Sequence, residues 1–302
     1  MKKYPELNKS KDVYQLRWEK SLSSGDYDLL STDNLDTQVK FFYDQYCNFI
    51  LEKIKSSFSE KKLKKLRILE FGCGRGTASI FLSKRLKCQI VGIDFSDVSI
   101  EIARKNALKH NVNVDFLVAD IFDINSKLKD SIFVPESYDV IISLGVLEHI
   151  EFIEDCFKIH NSLLRKNGLV CAMIVPEKKS IQDKFFFINK FLLLLARLFK
   201  SKSLKNLSYL DTKTLSKTKD VYRSYEKASF FEKNLKKANF RNVSSFESNP
   251  FPTLRPLTIF LDKCVVIIYK LIIVFLNYFR KNIFFNCDEK ISRCHFLIGY
   301  KK

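Results

Sequence analysis

The chain has 302 residues, 46% apolar and 28% charged, with a net charge of +18. These proportions are those of a globular protein with a full core and exclude a disordered chain. The charge excess is confined to one half: residues 1–175 hold 26 basic and 24 acidic side chains, residues 176–302 hold 26 and 10. A basic half points to an acidic partner, whether nucleic acid, an anionic membrane surface or an acidic substrate.

Met1 to Pro5 is polar and charged, without the apolar core of a signal peptide, which argues against export. The eight cysteines form no C-x-x-C pair, and Cys73, Cys88, Cys156 and Cys171 sit in apolar or tight-turn contexts. Reduced, buried thiols of a cytoplasmic protein are expected, and no metal site.

The first stretch is polar, contains Trp18 and turns at Ser23-Ser24-Gly25-Asp26. From Thr37 to about Phe58, apolar residues at three- and four-residue spacing predict a helix, part of an N-terminal helical cap over residues 1–60. Strands and helices then alternate. Strands are predicted at 67–71, 88–94, 114–118, 139–144 and 169–175. Helices are predicted at 77–86, 98–109 with Ser96 as its cap, and about 152–165, stopped by Lys166-Asn167-Gly168. Units of this length predict a parallel sheet with helices on both faces. After Pro176 the rhythm changes. An apolar helix at 185–199, a Ser/Lys-rich loop at 201–219, a helix from about Ser229 to Ala238 and a strand at 243–246 follow. A second apolar helix covers about 257–281, and Cys294 to Tyr300 reads as a closing strand.

The chemistry concentrates at Glu70-Phe71-Gly72-Cys73-Gly74-Arg75-Gly76, where a buried strand turns through three glycines into a helix. Gly72 and Gly76 permit dihedrals closed to other residues, and Gly74 leaves room for a ligand. The helix then directs its free N–H groups and positive dipole end at that position. This pattern alone also fits dinucleotide-binding folds. Glu70 suits a cationic or amine-bearing ligand better than a pyrophosphate. Asp94, at the tip of the second strand, is positioned to accept hydrogen bonds from both hydroxyls of a ribose. Asp120-Ile121 follows the third strand, and the fourth runs into Leu144-Gly145-Val146-Leu147-Glu148-His149.

Five segments in register carry a resemblance: E-F-G-C-G-R-G at 70–76, G-I-D-F-S at 92–96, V-A-D-I at 118–121, Y-D-V-I-I-S-L-G-V-L-E-H at 138–149 and L-L-R-K-N-G-L-V at 163–170. Together they resemble the class I S-adenosylmethionine-dependent methyltransferases, in particular the small-molecule branch with the ubiquinone- and menaquinone-pathway enzymes. The resemblance covers roughly residues 66–176. It implies an α/β, Rossmann-like seven-stranded sheet of order 3-2-1-4-5-7-6 with its last strand antiparallel, within a domain of residues 61–302. It also implies roles. Glu70, Cys73 and the Gly72, Gly74 and Gly76 backbone face the methionine end of S-adenosyl-L-methionine. Asp94 holds the ribose, and Phe95 packs on the adenine. Asp120 accepts from the adenine amino group while the Ile121 N–H donates to the ring. Leu144 offers a carbonyl near the cofactor amine.

Methyl transfer asks mainly for orientation, worth roughly 7–11 kcal/mol, and a hydroxyl acceptor also needs a base. His149 is the candidate base, although Glu148 and His149 also read as residues that order the next helix. No N-P-P-Y or D-P-P-Y run follows the fourth strand, which favours an oxygen or carbon acceptor.

The two apolar helices lie in inserted segments of about 177–228 and 250–288. Asp183, Lys190 and Arg197 recur every seven residues, as do Lys263, Lys270 and Asn277, with Lys281 near the same line. The segment 264–279, with Lys270 at its centre, is shorter than the ~20 residues a spanning helix needs. Two uses remain open: contact with an anionic membrane surface from the cytoplasmic face, or a lid over the substrate cleft. The combined expectation is methyl transfer, with oxygen favoured, to a small hydrophobic or lipid-linked acceptor at a membrane. Rival readings are an RNA or protein methyltransferase using the basic half, and a cofactor-binding regulator without catalysis. Nucleic acid is not favoured, because the basic half is interleaved with aliphatic runs.

Overall fold

In the computed structural model the described residues are 13–16, 18–19, 28, 30, 37–120, 122, 132–198, 222–279 and 282–302. The expected turn at 23–26, the loop at 201–219, Ile121 and Lys281 lie outside them.

Seven strands form one sheet: β1 (Arg67–Phe71), β2 (Gln89–Asp94), β3 (Asp115–Val118), β4 (Tyr138–Leu144), β5 (Leu164–Ile174), β6 (Phe240–Ser248) and β7 (Cys294–Lys301). Their order is β3-β2-β1-β4-β5-β7-β6, as the resemblance implied. β7 runs antiparallel to β5 and β6, whereas the pairings among β1 to β5 are parallel. Alternate side chains of each central strand enter two different apolar clusters, so both faces are buried and the strands read as continuous apolar runs.

Helices cover both faces. On one side lie α1 (Thr37–Ser57) and α3 (Thr77–Leu86), with the short α2 (Glu60–Leu63) leading into β1. α4 (Asp97–Lys109) packs Ile100 and Ala103 against Ile80 and Phe116. On the other side lie α5 (Ile153–Leu163) and α8 (Ala228–Lys237), which bury Phe157, Phe231 and Leu235. At the rim are α6 (Ile181–Lys184), α7 (Phe186–Leu198) and α9 (Ile259–Phe279).

Three expectations need correction. The helix before β5 ends at Leu163, and Gly168 does not end it in a left-handed conformation; Asn167 takes the positive φ of 62°. Gly168 is needed for space, since an added Cβ would lie 2.8 Å from the Arg165 carbonyl oxygen. The first apolar helix is broken at Phe185. Asp183 belongs to α6, where it accepts from the Ser180 N–H at 2.8 Å as half of a capping box, so it shares no continuous face with Lys190. The side chain of Arg197 lies outside the described residues.

α9 is continuous and has three sectors. At about 100° per residue, Asp262, Val266, Tyr269 and Ile273 fall on the side packed against α1. Gln38 of α1 donates from Nε2 to Asp262 Oδ1 at 2.5 Å, and its own N–H donates to Oδ2 at 3.0 Å. Lys263, Lys270 and Asn277 flank that buried side in one line, as the seven-residue spacing predicted. The remaining arc is apolar and open: Leu271 is 63% exposed, Val274 71%, Phe275 64% and Tyr278 85%. On α7, Phe187 and Phe191 are 76% and 58% exposed, so these apolar faces are not buried on each other. Among the described residues no helix is long and apolar enough to cross a membrane. Pairing of β6 with β7, from Phe240↔Lys301 to Ser248↔Cys294, also brings both ends of the α9 excursion back to one sheet.

At the end of β4 remote from the glycine turn, buried Asp139 joins three elements. It accepts from the Arg67 N–H at 3.0 Å and Arg165 Nη1 at 2.9 Å, and forms an ion pair with Lys62 at 2.9 Å. Asp139→Ala should lower unfolding free energy by about 1 kcal/mol in urea titrations, because a part-buried amide and two half-exposed cations lose a buried charged acceptor, while the affinity for the cofactor stays unchanged.

Candidate active site

The site is built where β1, β2 and β4 end. Gly72 has a φ of 66° and Gly76 a φ of 79°, both left-handed. An added Cβ would lie 2.3 Å from Val146 Cγ2 at Gly72 and 2.6 Å from Phe116 Cζ at Gly76, so neither site accepts a side chain. Gly76 starts α3 with no side-chain cap. Its first-turn N–H groups therefore face the turn, and the Ser79 N–H is bonded to Glu70 Oε2 at 3.0 Å. The Ser79 hydroxyl donates to the same oxygen. Burial, with a smaller contribution from the neighbouring Asp94 charge, raises the Glu70 carboxyl to about 7 against these two bonds.

Asp94 bridges two turns. Its Oδ2 accepts from the Gly74 N–H at 2.9 Å and its Oδ1 from the Ser96 N–H at 3.0 Å. Burial pushes this carboxyl up, while the Ser96 and Gly74 amides pull it down. A carboxylate has two oxygens that only accept, the kind of group a diol ligand requires. Ser96 caps α4 as expected, accepting from the Ser99 N–H at 3.2 Å. Phe95 follows, half-buried. Asp120 accepts from the Phe122 N–H at 3.0 Å. Cys73 is buried and its N–H donates to the Ile93 carbonyl at 2.9 Å; burial holds its thiol well above the usual range, so it is structural rather than nucleophilic.

Leu144 ends β4, and Gly145 turns the chain with a φ of 72° into a single 3-10 turn, Leu147–His149. This turn carries Glu148 and His149. His149 Nδ1 is 3.0 Å from the Tyr222 carbonyl oxygen. A carbonyl only accepts, so Nδ1 carries a proton, and in the neutral ring Nε2 is the acceptor. Tyr14 Oη lies 2.7 Å from that Nε2. Glu148 is buried, with Oε1 3.8 Å from His149 Nε2 and no hydrogen-bond partner at Oε2 among the described residues. Burial raises its carboxyl to about 7.

The structure thus brings Glu70, Gly72, Cys73, Gly74, Gly76, Asp94 and Phe95 together where β1 and β2 end, with Leu144 and His149 at the neighbouring end of β4. The face above Gly74, read from sequence as open to a ligand, is covered by Trp18: an added Cβ would lie 3.0 Å from the indole Cζ2. Tyr14 and Trp18 were not singled out from sequence as site residues. Their four-residue spacing in a polar stretch, one face of a short helix, is the signal that marks them. Ser79, Glu148 as a buried acid, and the Tyr222 carbonyl carry no sequence signal.

A carboxyl raised to about 7 from an ordinary 4.5 stabilises the fold below pH 4.5 and loses that contribution as pH rises toward 7. Buried His160 and His295, both held down near 3, act in the opposite direction below pH 6.5. In Glu70→Gln the histidine contribution is unchanged and cancels in the comparison. The Tm of the variant minus that of the parent should therefore climb between pH 4.5 and 7 and then level off, measured by scanning calorimetry of cofactor-free protein; a difference flat across this range would contradict a buried acid at Glu70.

Residues 62–229, more than half of the chain, match the protein family described as "Methyltransferase domain". The chain is 33% identical over 139 residues to the ubiquinone biosynthesis O-methyltransferase of Pelagibacter ubique, covering 46% of this chain and 53% of that protein. It is 31% identical over 108 residues to the enzyme of the same name from Rickettsia bellii, covering 36% and 40%. The chain thus spans about half, or less, of the length of these relatives. In fold, it superposes on a solved Galdieria sulphuraria chain described as a candidate sarcosine dimethylglycine methyltransferase, with a TM-score of 0.50 and 13% identity over 97% and 98% of the two chains. With the glycine turn, the carboxylate at the tip of β2 and the strand order already in place, this chain belongs to the methyltransferase-domain family, the S-adenosylmethionine-dependent methyltransferases.

Proposed function

We propose that this protein transfers the methyl group of S-adenosyl-L-methionine to a hydroxyl on a small, apolar, quinone-type phenol taken up at a membrane surface. The observation that carries this reading is the state of His149. Its Nδ1 proton is committed to the Tyr222 carbonyl, which leaves Nε2 as the acceptor nitrogen beside the Tyr14 hydroxyl at the end of β4. The names of the two relatives, ubiquinone biosynthesis O-methyltransferase, support oxygen as the acceptor atom and a quinone-type ring.

The roles follow from the positions. The Gly72 to Gly76 backbone and Glu70 hold the amino-acid end of the cofactor. The Asp94 carboxylate takes the ribose hydroxyls. Phe95 lies against the adenine, with Asp120 at its edge, and the Leu144 carbonyl faces the cofactor amine. When bound, the cofactor supplies a methyl group already activated by a sulfonium. The protein orients the acceptor, excludes water and removes a proton. His149 takes that proton, and the Glu148 carboxylate at 3.8 Å stabilises the imidazolium that results.

Membrane contact is assigned to the rim helices. The apolar arc of α9 offers Leu271, Val274, Phe275 and Tyr278 to the acyl boundary, with Lys263 and Lys270 beside it for anionic headgroups. An acceptor with a long apolar tail reaches the cleft from that side, with the segments 177–228 and 250–288 acting as the contacting layer.

Two outcomes test the reading. Asp94→Ala should weaken cofactor binding about tenfold to a hundredfold by calorimetry with an unaltered circular dichroism spectrum, because two charge-assisted bonds are lost. Unchanged affinity would overturn the ribose assignment. Replacing Lys263 and Lys270 by Glu should weaken flotation with anionic liposomes at least about tenfold, at ~1 kcal/mol per lysine, and leave neutral liposomes unaffected. Equal flotation of variant and parent would remove the membrane contact.

A further inference from the structure

A base that acts on an acceptor hydroxyl needs contact with it, yet Tyr14 Oη already lies 2.7 Å from His149 Nε2. An imidazole nitrogen has one in-plane lone pair, and Nδ1 is committed to Tyr222 at 3.0 Å. An acceptor hydroxyl therefore reaches His149 either by evicting Tyr14 or through it.

The anchoring of Tyr14 decides between these routes. Its ring meets the His149 ring edge-on, with centroids 5.1 Å apart, and the Phe95 ring at 6.5 Å. Next to it, Gln15 Nε2 donates to Asp97 Oδ1 at 2.7 Å. One turn further on, the Trp18 indole covers Gly74 and carries the Arg75 guanidinium 5.7 Å from its ring centre. Three neighbouring side chains thus grip the glycine turn, the start of α4 and the 3-10 turn after β4. Eviction breaks the Tyr14 hydroxyl contact and both of its ring contacts, while the backbone on either side stays gripped. A relay requires none to move, because a phenol oxygen donates one hydrogen bond while accepting another.

We propose that Tyr14 is a second catalytic residue, relaying the acceptor's proton to His149. The proposal rests on His149 acting as the base in the reading above. The acceptor O–H donates to Tyr14 Oη while the Tyr14 O–H donates to Nε2. As the acceptor oxygen bonds to the methyl carbon, the carbon–sulfur bond breaks and its electron pair stays on sulfur. The acceptor proton passes to Tyr14 Oη, and the tyrosine's own proton passes to Nε2. Tyr14 ends neutral, and His149 ends as an imidazolium whose Nδ1–H still faces the Tyr222 carbonyl.

The test uses the full chain, saturating S-adenosylmethionine, and catechol and the more acidic nitrocatechol as acceptor probes. Tyr14→Phe keeps the ring contacts and the Gln15 and Trp18 anchors, so cofactor affinity by calorimetry should stay within about twofold of the parent. On catechol, kcat should fall about a hundredfold, the lower end of general acid–base contributions. On nitrocatechol, whose hydroxyl ionises without help, the defect should shrink to less than about tenfold. His149→Asn should show the same pattern, and the double variant should be no slower than either single one. The relay is overturned if Tyr14→Phe keeps kcat within about threefold of the parent on catechol, gains kcat/KM, or loses equally on both probes. If the parent binds cofactor but methylates neither catechol, the phenol acceptor of the proposed function fails, and the relay fails with it.

Discussion

The hydrogen bond from the Gly74 amide to the Asp94 carboxylate is the contact on which the site depends. It ties the turn after β1 to the tip of β2, and the second Asp94 oxygen ties that tip to the start of α4 through Ser96. A backbone N–H reaches the carboxylate only because the turn passes through left-handed dihedrals at Gly72, Gly74 and Gly76. The same constraint explains why the site is dry. Glu70, Cys73 and Asp94 are withdrawn from water by the packing of α3 and α4, and burial raises all three.

A second constraint acts at the other edge of the sheet. β6 and β7 are neighbours, so the chain between them must leave and return on one side. α9 therefore lies along the molecule, pinned by Asp262 to Gln38 and by Tyr269 Oη donating to the Pro252 carbonyl at 2.8 Å. Buried polar anchors of this kind hold a very apolar helix in one orientation while leaving an apolar arc uncovered. An arc of this extent on a single chain marks an interaction surface rather than a core.

Much of this was legible in the sequence, for a physical reason. The parallel βα units follow from short apolar runs separated by helical patterns, the strand order was implied by the family resemblance, and the glycine turn, Asp94 and Ser96 are local features whose partners lie within about one βα unit. What was illegible depends on long-range contact. Tyr14 meets His149 across 135 residues, and no periodicity reports such a pairing. The break at Phe185 was masked by an apolar run that continues through it, although Ser180 and Asp183 form a local capping box. Asn167 took the left-handed position expected of Gly168 because Gly168 is confined by the Arg165 and Asp139 carbonyls. The raised pKa of Glu148 arises from burial next to Gly145, against the pull of the Arg223 charge, in surroundings that only the folded chain creates.

The central claim is that the cradle at Gly72 to Gly76 serves methyl transfer to an apolar hydroxyl compound. The most direct measurement is incubation of the protein with S-adenosylmethionine carrying a trideuteromethyl group and a total membrane lipid extract, followed by mass spectrometry. The account predicts the label in an organic-soluble phenol ether, formed together with S-adenosylhomocysteine. Bound cofactor with no labelled lipid, or label recovered only in RNA or protein when these are supplied instead, would contradict it.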